Sequence, residues 1–331
     1  MYNIKIHLFL VVVFLSKSNF VLKAQEVYYL DKNYTEKTKE IDSLINCKNW
    51  VKATIVSNNF YIKCRSVLPF HLFKSAELNA IFANNEKAYY FLEKLASDKN
   101  FVYFDKVASS PAFVKMSGNE RFNEIIEKIR NNWKHYIDSF EKKEIANELF
   151  DIYNADQRKR SQFLFYESKL DSFIYKEELE KEIALQDRIN QIRILKLIEK
   201  NGWLSENQVG LSNEAYFLVF HHADNDFQKR YLDIIEKAYK EGNVKPSSFA
   251  LFEDRLLVNA GKKQKYGSQI KMYKKEWVLY PTENVDSINL KRAKMNLESI
   301  ENYLEIFNIK WSLEEYKKME KELCKFFNIS Q

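Results

Sequence analysis

Apolar positions recur at three- and four-residue spacing along most of the chain, the period of an α-helix with one buried face. In the first part this pattern predicts helices over 34–46, 49–64, 70–84, 86–98 and 119–131. A charged stretch, Ser139 to Glu144, follows as a linker or a continuing helix. Beyond it the same period predicts helices over 143–166, 176–200, 212–223, 226–241, 247–260, 286–297 and 298–307. Only residues 268–280 alternate, with Ile270, Met272, Trp277 and Leu279 flanking Lys274-Lys275, and there a small hairpin is expected. Trp311-Ser312 with Glu315 three residues on reads as a capping box opening a last helix, 312–327.

Composition supports this reading. Six glycines and four prolines among 331 residues are too few for a many-stranded β architecture, which needs turn residues throughout. The fold class expected is mainly α: a helical-hairpin repeat domain over 26–138, then an α-helical domain with one small β-hairpin over 139–310, and a capping helix over 311–331. Residues 1–25 read as a signal peptide, with Lys5 in the charged region and an apolar run from Leu8 to Leu15. Leu22-Lys23-Ala24 before Gln25 supplies the cleavage site. The run is too short to span a bilayer, so the chain is expected to be exported, periplasmic or secreted, with no integral membrane span once the signal is removed. The net charge of +6 falls to +3 without those residues, since Lys5, Lys17 and Lys23 leave 49 basic against 46 acidic side chains. With signs interleaved, that is a solvated surface and not a nucleic-acid footprint. Three cysteines, Cys47, Cys64 and Cys324, leave at least one unpaired. Cys47 and Cys64 fall on consecutive predicted helices and could meet, or all three could be small buried hydrophobes.

Within the first domain the clearest unit runs from Ala76-Glu77-Leu78-Asn79-Ala80 through Ala88 to Phe91-Leu92-Glu93-Lys94-Leu95. Ala80 and Ala88 let two helices cross closely, while Tyr89, Leu92 and Leu95 fill the groove between them. The unit resembles the tetratricopeptide repeat, and the continuation at Ser110-Pro111-Ala112-Phe113 and Glu120-Arg121-Phe122 resembles the end of such an array. That resemblance implies a concave surface able to hold a protein or peptide, and no chemistry.

The second domain repeats one anomaly: polar residues interrupt apolar helix faces. Asp156 continues the stripe of Ile145, Leu149 and Ile152, and Asp187 and Asn190 lie in that of Ile183 and Ile194. Asp254 is surrounded at three- and four-residue spacing by Ala250, Leu251, Leu257 and Val258, and His222 follows Ala215, Leu218 and Val219. A buried carboxylate without a partner costs several kcal/mol, so each needs one, and Arg158, Arg160, Arg188, Arg255 and Arg292 are the basic candidates. Either Asp–Arg pairs and a hydrogen-bonded histidine fix a helical bundle, or these groups converge on a site. In a site His222 would be the general acid or base, with Asp187 or Asp254 orienting it. His222 and Asp224 with a further carboxylate could alternatively hold a divalent metal, although no tight ligand spacing is present. Tyr266-Gly267-Ser268-Gln269, after Gln264, adds directional hydrogen-bonding groups and a glycine that permits close backbone approach. No nucleophile elbow and no phosphate-cradling glycine loop occurs.

Asp156-Gln157-Arg158, Asp187 with Asn190, Gly202-Trp203, Val209-Gly210, His222-Ala223-Asp224, Phe227-Gln228, Asp254-Arg255, Gln264 with Tyr266-Gly267 and Gln269, and Arg292 occur in that order. Together they resemble a bacterial domain family of unknown function whose members show QHAD followed by YGTQ. Here His221 stands for the Gln of the first motif and Ser268 for the Thr of the second. The resemblance covers about residues 145–305 and carries no reaction and no cofactor. The expectation is an exported protein of two domains. A polar pocket in the second recognises a small molecule or peptide and hydrolyses it through His222, with Asp187 and Asp254 in support. Asp156, Arg158, Asn190, Asp224, Arg255, Gln264, Tyr266, Gln269 and Arg292 would line it. The alternative is a non-catalytic scaffold that uses the repeat groove.

Overall fold

The computed structural model describes residues 32–169, 173–307 and 309–329. The expected signal peptide lies outside the described residues. The chain is mainly helical, with one small two-stranded sheet, and it divides into two compact units. One unit comprises the residues up to Lys143 together with Asn154–Gln186; the other comprises Glu144–Tyr153 together with Asp187 onward. Among the described residues no helix is long and apolar enough to cross a membrane.

The first unit is built from α1 (Lys32–Asn46), α2 (Trp50–Tyr61), α3 (Pro69–Ile81), α4 (Asn85–Ser97), the short α5 (Phe104–Ala108) and α6 (Glu120–Ile137). Each of the first three packs on the next, and α6 lies on α4 and α5. Short connections of this kind bring successive helices back alongside one another. Ala53, Ala76 and Ala88 are wholly buried, so the helices close on one another without bulk between them, and Phe91, Leu92 and Leu95 fill the interior. Asn58 and Asn79 exchange amide hydrogen bonds at 2.9 and 2.8 Å across the α2–α3 interface, and Asn79 also donates to the Ser75 carbonyl. Every polar atom of that buried pair therefore has a use, which keeps it from costing stability. The outer parts of α7 (Lys143–Lys169) and α8 (Phe173–Asn201) also belong to this unit, through a small core of Phe163, Leu179 and Ile183.

Of the two readings of the Ser139–Glu144 stretch, the continuing helix does not hold, because α6 ends at Ile137 and α7 starts at Lys143. Between the helices predicted over 86–98 and 119–131 lie two elements for which the sequence made no prediction, α5 and a 3-10 turn at Pro111–Phe113. Elements of five and three residues span too little of a helical period to be seen in the pattern.

The second unit is organised around a buried helix. After α9 (Glu206–Val209) come α10 (Glu214–His222), α11 (Asn225–Arg230), α12 (Leu232–Lys240) and α13 (Pro246–Asn259). From Ala215 to His221 every side chain of α10 is buried, and α10 packs on α13 and α11. The expected single helix over 226–241 is in fact two, broken where Tyr231 adopts φ −112° and ψ 20°. The hairpin appears as expected: β1 (Ile270–Tyr273) pairs antiparallel with β2 (Glu276–Leu279), Ile270 opposite Leu279 and Lys271 opposite Val278. Lys274 and Lys275 form its turn with φ 46° and 75°. Then come α14 (Ile288–Lys294), α15 (Ile300–Glu305) and α16 (Leu313–Phe326). The capping signal at Ser312 is real in its first half, since the hydroxyl accepts the Glu315 amide at 3.3 Å. Val258, Tyr280, Cys324 and Ile329 share one core cluster, so α16 is seated on the hairpin and the end of α13. Cys47 is exposed, and Cys64, just past the end of α2, turns its thiol to the carbonyl of Phe60 in that helix at 3.4 Å.

Candidate functional site

Burying α10 from Ala215 to His221 takes its last carbonyls away from water, and the fold supplies side chains in its place. The Gln228 amide donates to the carbonyls of Phe220 (3.0 Å) and His221 (3.1 Å). Arg255 Nη1 donates to the His221 carbonyl as well, at 3.2 Å. Asp224 is exposed and caps α11, its carboxylate accepting the Phe227 amide at 2.8 Å. His222-Ala223-Asp224 is thus a helix end, an extended residue and a helix start. His221 is fully buried, 5.1 Å from the Phe217 ring and 5.7 Å from that of His222. His222 is half-buried at the rim. The apolar stripe that pointed to His222 could not separate these two residues, because α10 is buried on all sides and has no polar face to mark the other direction.

The second group forms around the 264–269 loop. Asp254, wholly buried on α13, takes the backbone amides of Lys265 (2.7 Å), Tyr266 (3.0 Å) and Ser268 (2.9 Å) onto its two carboxylate oxygens. Burial raises its carboxyl above the ordinary range, and those backbone bonds pull it back. Arg292 approaches the same loop from the opposite charge. Its Nη1 donates to the carbonyls of Tyr266 (2.7 Å) and Gly267 (3.3 Å), and its Nε to that of Glu298 (2.6 Å). Its guanidinium lies 4.8 Å from the centre of the Tyr303 ring, whose hydroxyl donates to the Ser268 carbonyl at 2.6 Å. Gln264 closes the loop: its Oε1 accepts the Gln269 amide, and its Nε2 donates to the carbonyls of Gln269 and Tyr280. Gln269 gives its own amide group to the Ser268 hydroxyl at 3.1 Å. Gly267 has φ 68°, which strains any L side chain, and a Cβ there would stand 2.7 Å from Ile288 Cδ1, which would have to shift. Tyr266 turns outward to Glu253, its hydroxyl donating at 3.1 Å, and Lys265 forms an ion pair with the same carboxylate.

The remaining expected site residues lie elsewhere. Asp156 is buried in the first unit, its Oδ1 3.1 Å from Arg160 one turn on and its Oδ2 accepting from Gln157 at 2.7 Å. Arg158 forms an ion pair with Asp105 in the same unit. Asp187 is half-buried and Asn190 wholly buried on α8, in the second unit. Asp254, Gln264, Tyr266, Gln269 and Arg292 are therefore brought together at one loop, and Arg255, His222 and Asp224 at the end of α10. Among the described residues no group of three or more His, Cys, Asp or Glu side chains is placed to hold a metal ion.

One charged residue next to this region was not anticipated. Lys271, on β1, is half-buried, and among the described residues no carboxylate lies within ion-pair distance of it. Burial, and then the nearby Arg255, push its ammonium down to about 8. The available signal was strand geometry. Residues two apart share a face, and Tyr273, two residues on, is an aromatic that a covered face would want.

The model of one protein family matches residues 143–315, more than half of the chain. The chain belongs to the family of unknown function DUF6624. The matched stretch begins with α7 and ends early in α16, so the DUF6624 region holds the buried α10, the 264–269 loop and the hairpin. Among curated proteins and among solved structures, none matches.

Proposed function

We propose that the DUF6624 region recognises a small molecule or peptide at the C-terminal end of α10, and that His222 transfers the proton in a hydrolytic step on it. One observation carries the reading. His222 sits half-buried at the rim of a helix end whose carbonyls are already bound by Gln228 and Arg255. An imidazole carried on an immobilised backbone is suited to general acid–base chemistry. Asp254 is bound to three backbone amides, so Asp187 is assigned the role of orienting His222. We read the chain as exported, on the strength of Lys5, the Leu8–Leu15 run and Ala24.

The test is a pair of measurements on His222→Gln. The first is thermal unfolding. The second is turnover of simple chromogenic esters, anilides and phosphate esters, alongside a thermal-shift screen of amino acids, dipeptides and sugar phosphates. The expected result is a midpoint within about 1 kcal/mol of the parent, the scale of ordinary surface changes, with loss of any turnover or ligand shift the parent shows. A loss of about 2–4 kcal/mol, the scale of breaking a buried polar network, would make His222 structural and end the catalytic reading.

A second reading, a protein-binding scaffold, draws on a different observation. Val51 and Ile55 on α2 and Ile62 at its C-cap stand 58%, 54% and 39% exposed in the first unit. Spaced four and seven residues apart, they form an apolar stripe of the kind protein partners cover.

A further inference from the structure

We propose that the outward face of α8 pairs with the same face of a second copy of this chain, the two helices running antiparallel about a two-fold axis at Ile189. This interface goes beyond the reading of the DUF6624 region as a recognition module and does not depend on His222.

α8 is one unbroken helix from Phe173 to Asn201, and it is apolar on two sides. Leu179, Ile183, Asn190 and Ile194 share one side at helical spacing, and all four are buried. Leu185, Ile189 and Ile192 follow the same period about 140° further round the helix. They stand 61%, 43% and 58% exposed. A helix on the surface of a domain needs one apolar stripe, the one its own core covers, and presents polar groups elsewhere. Among the described residues nothing covers the second stripe of α8, and a row of exposed apolar side chains at helical spacing is the form in which one helix is recognised by another.

The charges beyond the stripe select the occupant. Ile189 is its middle residue. Glu182 lies seven residues before Ile189 and Lys196 seven after; Glu178 lies eleven before and Lys200 eleven after. All four are exposed. Glu182 is 2.6 Å from Lys159, whereas Glu178, Lys196 and Lys200 have no ion pair among the described residues. An antiparallel copy centred on Ile189 sets Leu185 against Ile192 of the other copy, and Ile189 against its own counterpart. At both ends of that apolar seam it sets acid against base, Glu182 facing Lys196 of the other copy and Glu178 facing its Lys200. Such self-complementarity is what a two-fold interface requires. A parallel copy in register would set Glu on Glu and Lys on Lys, which repel. An acidic partner would be repelled at the Glu178–Glu182 end, and a basic one at the Lys196–Lys200 end. Three apolar side chains from each copy make a small interface, so the dimer is weak and forms by mass action.

The experiment is analytical ultracentrifugation of the full chain from about 5 to about 500 µM, the span in which a small interface dissociates. The average mass should rise from that of a monomer towards that of a dimer. Ile192→Glu sets a carboxylate against Leu185 of the other copy and should weaken dimerisation about tenfold or more. Because Ile192 is 58% exposed, the thermal midpoint of this variant should match the parent's. Glu178→Lys and Lys200→Glu should each weaken the dimer about two- to fivefold, the scale of exposed ion pairs. Combined in one chain they exchange the signs and should restore it, which an apolar patch that associates without register would not do. A chain that stays monomeric throughout, a dimer unchanged by Ile192→Glu, or a double variant no better than either single one would each overturn the proposal. If Ile192→Glu lowers the midpoint, the charge series, made wholly at exposed side chains, decides alone.

Discussion

Asp254 offers the sharpest test of how this domain is held together. Its carboxylate takes amides at 2.7 and 3.0 Å on one oxygen and at 2.9 and 3.3 Å on the other, with no solvent exposure. Asp254→Asn keeps the volume and the oxygen that serves Lys265 and Tyr266. It turns the other oxygen into an NH2 that faces the Ser268 amide, a donor against a donor. A hydrogen bond to a charged acceptor contributes roughly 1.5–3 kcal/mol, and the buried Ser268 amide would be left without one. Against this, a neutral amide is easier to bury than a carboxylate, and burial is the largest influence on Asp254. The balance is a loss of about 2–3 kcal/mol, or about 5–10 °C in the midpoint of a domain of this size. The assay is thermal and urea unfolding at pH 7, with Asp224→Asn as control. Asp224 is also a carboxylate accepting a backbone amide, but at an exposed helix start where Asn caps about as well as Asp, so its cost should stay below about 0.5 kcal/mol. If Asp254→Asn unfolds like the control, or is more stable than the parent, the amide-clamp account is wrong.

Two further predictions concern places where the chain carries a local cost. Lys275→Gly should stabilise the protein by about 0.5–1 kcal/mol, because Lys275 sits at φ 75° in a two-residue hairpin turn that favours glycine; an unchanged or lowered urea midpoint would contradict this. In the first unit, Lys106 lies 5.1 Å over the Phe73 ring, and burial, then Lys74, push its ammonium down to about 8 from 10.5. Between those values the unfolded chain holds more protons at this site than the folded one, so the contribution of Lys106 to stability rises with pH across that window and is least favourable below pH 8. Lys106→Met should therefore melt above the parent at pH 7.5, with the difference shrinking by pH 9.5. An offset that stays constant with pH would refute the assignment.

Most helices were legible because their burial is one-sided. Glu120–Ile137 buries Phe122, Ile125, Ile126, Ile129 and Trp133 on one face, and α13 and α16 follow their periods to within a residue or so of the expected ends. The site was legible only as a set of residues that must have partners. Asp254, Arg255 and Arg292 each bond to backbone amides or carbonyls, which no residue letter reveals. The expectation of Asp–Arg pairing is met at Asp156 and Arg160, one helical turn apart, where local geometry alone brings them together. Tyr231 hides the break between α11 and α12 for a related reason: the break is a dihedral choice made by packing, without a Pro or Gly to announce it.

The charged residues at the 264–269 loop make sense once the loop is treated as buried backbone. A loop that is buried at Gln264 and from Gly267 to Gln269 carries backbone donors and acceptors that must be met from within. An acid concentrates acceptors and an arginine concentrates donors, so one residue of each kind can serve several peptide groups at once. Asp254 takes three amides, and Arg292 takes three carbonyls. Held from both sides, the loop delivers β1 in a fixed position. On this view Asp254 acts on a ligand only through the loop. Asp254→Asn should lower stability and any ligand-induced thermal shift together, whereas His222→Gln should lower the ligand shift alone. Loss of binding in Asp254→Asn at full parental stability would place Asp254 in the site itself and reverse the division of labour argued here.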